Sequence, residues 1–306
     1  MLEIENMKKI RIGYFADGPW SHLAFEKIIA DKSIEVAFIV PRSDTEDKTL
    51  FNYSQKYKID YLFPVKINSE EFYENVQKYK CDLFVSMSFN QIFKSKIYNL
   101  PPLKTINCHA GKLPFYRGRN ILNWVIINDE NEFGITVHYI DEGIDTGDII
   151  LQRTYKITDE DSYKTLLERA YNNCAEILYD SIKLIQLDQV NPIRQSTIHP
   201  VGFYVGKRGF GDEVINWKQT SRDVFNFIRS IDLPGPQATT YLENGSIVKI
   251  NKAKLIENAP TYKSTVGQVL VKISDNTFLI KTLDSFIEIS EVSCEDKIKV
   301  GDKFRV

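Results

Sequence analysis

Short apolar runs alternate with longer polar stretches through the N-terminal part of the chain, at intervals that suit strands followed by helices. Ile10-Arg11-Ile12-Gly13-Tyr14-Phe15-Ala16 reads as a first strand, and Asp17-Gly18-Pro19 ends it as a turn. Leu23, Phe25, Ile28 and Ile29 then recur at three- and four-residue spacing, which predicts a helix with one buried face. Residues 35–40 form a second apolar run stopped by Pro41, and residues 82–87 and 105–107 supply a third and a fourth strand. Strands alternating with helices predict an α/β fold built on a doubly wound, mostly parallel sheet. Such sheets bind ligands beyond the carboxyl ends of their strands, and Asn107 stands at one such end.

Further along, 120–128 reads as a helix, while 132–140 and 148–153 read as strands joined by the 141–147 loop. The clearest helix of the chain spans about 161–187. Leu166, Ala170, Cys174, Ile177, Leu178, Ile182 and Ile185 stripe one face of it, with Thr158 or Asp161 as candidate N-caps. The texture then changes to a Pro/Gly-rich connection and one short helix over 221–231. Five β-rich runs follow, at 239–242, 247–250, 267–270, 277–281 and 287–289, and predict a small antiparallel sheet or barrel. We place the boundary near residue 200, giving a larger domain over 1–200 and a smaller β-rich domain over 201–306.

Composition narrows the function classes. Across 306 residues, 43% hydrophobic and 26% charged residues are ordinary for a soluble enzyme. A net charge of −2 gives no support to a broad nucleic-acid surface. Four scattered cysteines without a C-x-x-C pair fit a reducing compartment. Met1 to Lys9 lacks the apolar stretch of a signal peptide, and no apolar run approaches the about 18 residues of a membrane span. A cytoplasmic protein without membrane contact is the expectation. Neither G-x-G-x-x-G nor G-x-x-x-x-G-K-[ST] occurs, so dinucleotide and nucleoside-triphosphate chemistry have no motif support.

Candidate chemistry gathers between Asn107 and Asp148, where an amide, an imidazole and several carboxylates lie in loops bounded by Gly and Pro. Each part alone is weak. An isolated His such as His109 is most often a structural hydrogen-bonder, and Asp141, Asp145 and Asp148 could simply shape a turn. A metal site from Cys108, His109 and an Asp fits no standard zinc spacing, so no metal is expected.

Together the parts are far more specific. Asn107-x-His109, Leu113-Pro114-x-x-Arg117-Gly118, Gly134-Ile135-Thr136 and Asp145-Thr146-Gly147-Asp148 resemble the formyltransferase family that uses 10-formyltetrahydrofolate. Methionyl-tRNA formyltransferases and sugar-nucleotide N-formyltransferases are its relevant branches. The chain departs at 110–112, with Ala-Gly-Lys where the tRNA branch usually carries Gly-Ser-Leu. The resemblance implies the Rossmann-like formyltransferase fold for the N-terminal domain. It also implies that Asn107, His109 and Asp145 are the catalytic residues. Ser88, Phe89, Asn90 and Ile92 would border the pterin of the folate cosubstrate, with Asp141 and Asp145 on its other side.

Those residue types suit attack of an amine on a formyl carbon. A neutral imidazole can take the amine proton, an amide N–H can stabilise the oxyanion, and a carboxylate can orient the imidazole. For the acceptor, Trp20, Arg117, Arg119, Asn120 and Trp124 look like a sugar-nucleotide site, since aromatic faces stack on bases and Arg pairs with diphosphates. Trp124 could equally be core. A nucleotide-linked deoxy-aminosugar is therefore the expected small-molecule partner, with surface-polysaccharide or O-antigen synthesis as the implied setting. Initiator methionyl-tRNA is the alternative acceptor; a non-catalytic folate- or nucleotide-binding protein, or a hydrolase passing the formyl group to water, lies further off. The resemblance allows a homodimer, although no heptad or other direct oligomer signal is present.

Overall fold

The computed structural model describes residues 8–45 and 47–305, so the charged lead Met1–Met7 lies outside the described residues. In chain order the elements are β1 (Ile10–Ala16), α1 (Pro19–Ala30), β2 (Ile34–Val40), α2 (Lys48–Tyr57), β3 (Asp60–Tyr61), α3 (Glu70–Val76), β4 (Leu83–Met87), α4 (Ser95–Tyr98) and β5 (Thr105–His109). After these come β6 (Arg117–Gly118), α5 (Ile121–Ile127), β7 (Glu132–Tyr139), β8 (Ile149–Lys156), α6 (Tyr163–Gln186), α7 (Gln195–Ile198) and β9 (Tyr204–Val205). The chain closes with α8 (Ser221–Arg229), β10 (Ala238–Tyr241), β11 (Ile247–Leu255), β12 (Val269–Ser274), β13 (Thr277–Lys281) and β14 (Phe286–Cys294).

Two compact units divide the chain without following a single cut. The first comprises Met1–Gly118, Phe133–Tyr155 and Glu168–Tyr204; the second comprises Arg119–Glu132, Lys156–Leu167 and Val205–Val306. Two segments of the second unit precede residue 200.

The larger sheet has the order β3-β2-β1-β4-β5-β7-β8. β1 runs parallel to both β2 and β4, and β4 runs parallel to β5, while β7 lies antiparallel to β5. Its near-continuous apolar strands are what a sheet covered on both faces requires. Phe15 shows how the core is built. Its ring meets those of Phe84 and Phe93 edge-on at 5.2 and 5.0 Å, within a cluster that also holds Phe38 and Phe72. Chain order reverses between β1 and β4, so the loops leaving these two strands flank the crevice where doubly wound sheets take ligands.

Helix α6 buries the whole apolar stripe from Leu166 to Ile185. It opens later than the candidate caps suggest. Asp161 Oδ2 accepts the Thr158 N–H (2.9 Å) and Oδ1 accepts the Thr165 hydroxyl (3.0 Å), so this carboxylate closes the turn ahead of the helix.

In the second unit, β10-β11-β14-β13-β12 form an antiparallel sheet around Ile215, Trp217, Val248, Phe278 and Ile287. Bridges from Lys303 to Gln268 and from Arg305 to Tyr241 tie the C-terminal run to both sides of this sheet, which gives the unit its barrel-like closure. Helix α8 starts at a reciprocal cap: Thr220 Oγ1 accepts the Asp223 N–H (3.1 Å), and Asp223 Oδ2 accepts the Thr220 N–H (3.3 Å). Thr220→Ala should lower the unfolding free energy by about 1 kcal/mol, whereas Thr220→Ser should keep most of it, as measured by urea denaturation.

Candidate active site

Pairing of β5 with β7 sets Asn107 opposite His138 and His109 opposite Thr136. Side chains alternate along a strand, so positions 107 and 109 share one face and Cys108 takes the other. The buried Cys108 packs there, with its thiol 3.8 Å from the Cys174 carbonyl.

Asp145 joins this face from the loop between β7 and β8. Its backbone is left-handed (φ 54°), a region few residues other than glycine adopt. Oδ2 accepts the Gly118 N–H at 3.0 Å and lies 3.7 Å from His109 Nδ1, while Oδ1 lies 3.5 Å from His138 Nε2. One buried carboxylate therefore faces two imidazoles. Burial by itself would raise the pKa of Asp145. Protonated His109 by its charge, protonated His138 by its charge and hydrogen bond, and the Gly118 N–H outweigh it, and hold the carboxyl well below the usual carboxylate range.

The two rings are held by backbone carbonyls. His109 Nε2–H donates to the Tyr116 carbonyl at 2.8 Å, so the lone pair of the neutral ring sits on Nδ1, toward Asp145. Gly111 makes room for this: a Cβ there would lie 2.4 Å from His109 Nε2 and 2.6 Å from the Tyr116 oxygen. His138 Nδ1–H donates to the Tyr139 carbonyl at 2.8 Å, so in the neutral ring Nε2 is an acceptor, 3.4 Å from Asn107 Nδ2. That contact turns the amine end of Asn107 toward the cluster and leaves its second N–H for another acceptor.

The structure brings Asn107, His109 and Asp145 together. Of the residues expected beside a folate, Ser88, Phe89, Asn90 and Ile92 lie in the loop leaving β4, at the switch point of the sheet. Phe89 packs inward, with its ring 5.7 Å from Phe15 and 5.7 Å from Phe93. Ile92 is exposed, and Asn90 Oδ1 and Gln91 Nε2 are buried without a hydrogen-bond partner among the described residues. Asp141 shapes its own loop by accepting the Gly143 N–H (3.1 Å) and the Thr146 hydroxyl (2.5 Å).

The residues expected at an acceptor fall in both units. Trp20 sets its ring edge-on against Tyr171 at 4.9 Å. Arg117 does not offer a free fork to a diphosphate here. It is buried, with Nη2 and Nε on Gln195 Oε1 (2.7 and 3.2 Å) and Nη1 on the Val201 carbonyl (3.1 Å). Arg119, Asn120 and Trp124 belong to the second unit. Asn120 Oδ1 accepts the Arg208 N–H at 3.0 Å. The Trp124 indole donates to the Gly206 carbonyl (2.8 Å) and one of its faces carries the Arg208 guanidinium at 5.3 Å, so that face is not free for a base.

Two participants escape the sequence reading. His138 sits inside a segment that reads only as a strand, and its signal is the pairing register that sets it across from Asn107. Gln195 lies in the Pro-rich connection, where nothing local marks it; its Nε2 donates to the carbonyls of Asp145 (2.8 Å) and Gly147 (2.8 Å). Among the described residues, no group of three or more His, Cys, Asp or Glu is placed to hold a metal ion. No helix among them is long and apolar enough to cross a membrane.

Comparison with known proteins follows this geometry. The family described as formyl transferase matches residues 30–182, and the formyl transferase C-terminal domain matches residues 211–303. The chain is 32% identical over 244 residues to a methionyl-tRNA formyltransferase of Pelotomaculum thermopropionicum, covering 79% of this chain and 76% of that protein. It is 33% identical over 217 residues to the bifunctional polymyxin resistance protein ArnA of Wigglesworthia glossinidia brevipalpis, covering 71% of this chain and 32% of that protein. Among solved structures, a sugar 3N-formyl transferase, WlaRD, determined with dTDP and 5-N-formyl-THF, superposes with a TM-score of 0.69. It has 23% identity and covers 94% of this chain and 99% of that one.

The depressed Asp145 carboxyl has a pH consequence. Because its folded-state pKa is lowered, its contribution to stability is fully present above the unfolded value of about 4 and is lost as pH falls through the folded value. Asp145→Asn should therefore flatten the fall of unfolding free energy below about pH 4. Urea denaturation of both proteins across acid pH checks this.

Proposed function

The chain belongs to the formyltransferase family, and from that premise we propose that it formylates the amine of a nucleotide-linked amino sugar. The family consists of enzymes, and 10-formyltetrahydrofolate is the formyl donor. The loop leaving β4 fits such a donor: the unpartnered Asn90 oxygen and Gln91 nitrogen provide one acceptor and one donor for a heterocycle edge, with exposed apolar Ile92 beside them. When bound, the folate supplies a formyl group activated on N10.

The chain's own residues then handle the proton and the charge. His109 takes the proton of the attacking amine at Nδ1, the nitrogen left free by the bond from Nε2 to Tyr116. The resulting imidazolium faces the Asp145 carboxylate and returns the proton to N10 as the formyl–N10 bond breaks and tetrahydrofolate leaves. Asn107 turns its second N–H to the negative charge that grows on the formyl oxygen, a donor worth about 10²–10³ in rate. His138 keeps that amide oriented from the opposite strand.

Charge carries the choice of acceptor. The connection from β2 to α2, Pro41–Asp47, has Arg42 against Asp44, Glu46 and Asp47, and the 141–148 loop has four acids and no base. A tRNA acceptor asks for Lys and Arg against several phosphates, whereas a diphosphate needs only one or two cations. Arg119 is exposed and meets no carboxylate among the described residues, so its guanidinium is open to an anion. The sugar 3N-formyl transferase fold spanning nearly the whole chain supports the same reading. Methionyl-tRNA is the second reading, favoured by the sequence relatives at 30% identity and above.

The test follows tetrahydrofolate formation from 10-formyltetrahydrofolate with a panel of thymidine- and uridine-diphosphate amino sugars, and separately with charged initiator tRNA. Turnover with an amino sugar is expected; turnover with tRNA alone overturns the acceptor. Formate release without any amine would mark a hydrolase, and donor binding without turnover a binding protein. His109→Asn should lower turnover by about 10²–10⁴ while donor binding persists, and near-normal activity would remove His109 from the mechanism.

A further inference from the structure

Asp145 is held from its backbone side as well as its carboxylate side. Its carbonyl and that of Gly147 accept both N–H bonds of the Gln195 amide, at 2.8 Å each. The Gln195 oxygen in turn accepts Nη2 and Nε of Arg117 at 2.7 and 3.2 Å. Both side chains are buried, with 3% of Gln195 and 7% of Arg117 exposed. Every donor and acceptor of this amide is thus used. The guanidinium also fixes its polarity, because an amide turned end for end would set its oxygen against two carbonyls and its NH₂ against a cation. A pair of backbone hydrogen bonds between Ile149 and Ile193 (2.8 and 2.9 Å) brings Gln195 to the loop.

The loop has need of such a hold. Asp145 is in the left-handed region, and Gly147 approaches so closely that a Cβ would lie 1.9 Å from the Tyr139 oxygen. We propose that Arg117 and Gln195 are positioning residues for formyl transfer: they lock the backbone of Asp145 so that its carboxylate meets His109 and His138. This rests on the functional reading above, and it gives Arg117 a role other than acceptor binding. Misplacement of a reacting group by about 1 Å can cost about 10²-fold in rate, so a link that touches no substrate can still govern kcat.

Gln195→Glu keeps oxygens for Arg117 and removes both donors to the loop. It should lower kcat by about 10²-fold and leave KM for donor and acceptor within about twofold. Arg117→Lys, which keeps the buried charge but not the fork, should show the same signature at about tenfold. A second readout needs no turnover: carbon-13 NMR of the Asp145 carboxyl, whose depressed titration should move up toward the ordinary range in both variants as it leaves His109, His138 and the Gly118 N–H. An unchanged kcat with an unchanged Asp145 titration overturns the proposal. So does an Arg117→Lys variant with intact kcat and a large rise in acceptor KM, which would return Arg117 to the substrate. If the unaltered protein turns over no donor–acceptor pair, the functional reading fails, and the Asp145 titration alone decides the positioning role.

Discussion

The rest of the site depends on one buried carboxylate. Asp145 is withdrawn from water and would favour its neutral form, yet it faces two imidazoles and a backbone N–H that together keep it ionised. Such an arrangement holds only while every partner stays in place. Removing one partner of a buried charged contact typically costs about 3–5 kcal/mol, because the remaining charge stays desolvated. In the proposed mechanism the same low-dielectric surroundings make the contact useful, since a proton arriving on His109 is met by a fixed negative charge and not by water that must reorganise.

Meeting that constraint occupies much of the first unit. β5 carries Asn107 and His109 on one face, and the antiparallel β7 returns His138 across from them. The turn after β5 must let the Tyr116 carbonyl reach His109, which excludes a side chain at position 111. Thr136 and Gln152 pin that turn from below: the Thr136 hydroxyl donates to the Gly111 carbonyl (2.6 Å), and Gln152 Nε2 donates to the Leu113 carbonyl (2.9 Å). The glycines and the Leu-Pro-x-x-Arg-Gly run of the motif are thus largely the means of holding a carboxylate and an imidazole at a set separation.

How far this was legible in the sequence depends on the kind of interaction. Strand β1 and the α6 stripe show in apolar periodicity because burial acts on side chains one by one. Asn107 and His109 show because alternation along one strand places them together. His138 needs the register between two strands, which no local pattern encodes, and Gln195 reaches Asp145 from a connection fifty positions away. Arg117 is ambiguous for a physical reason: an Arg beside a Gly in a loop looks the same whether its guanidinium faces a ligand or a buried amide. The acceptor is harder to read, because the donor chemistry is common to the two branches.

The most direct measurement is the single-turnover rate of formyl transfer from 10-formyltetrahydrofolate in the Asp145→Asn protein, with the amine acceptor saturating. That substitution keeps the shape and removes the charge. The account predicts a fall of about 10²–10⁴-fold with donor affinity preserved. A rate near that of the unaltered protein would contradict it.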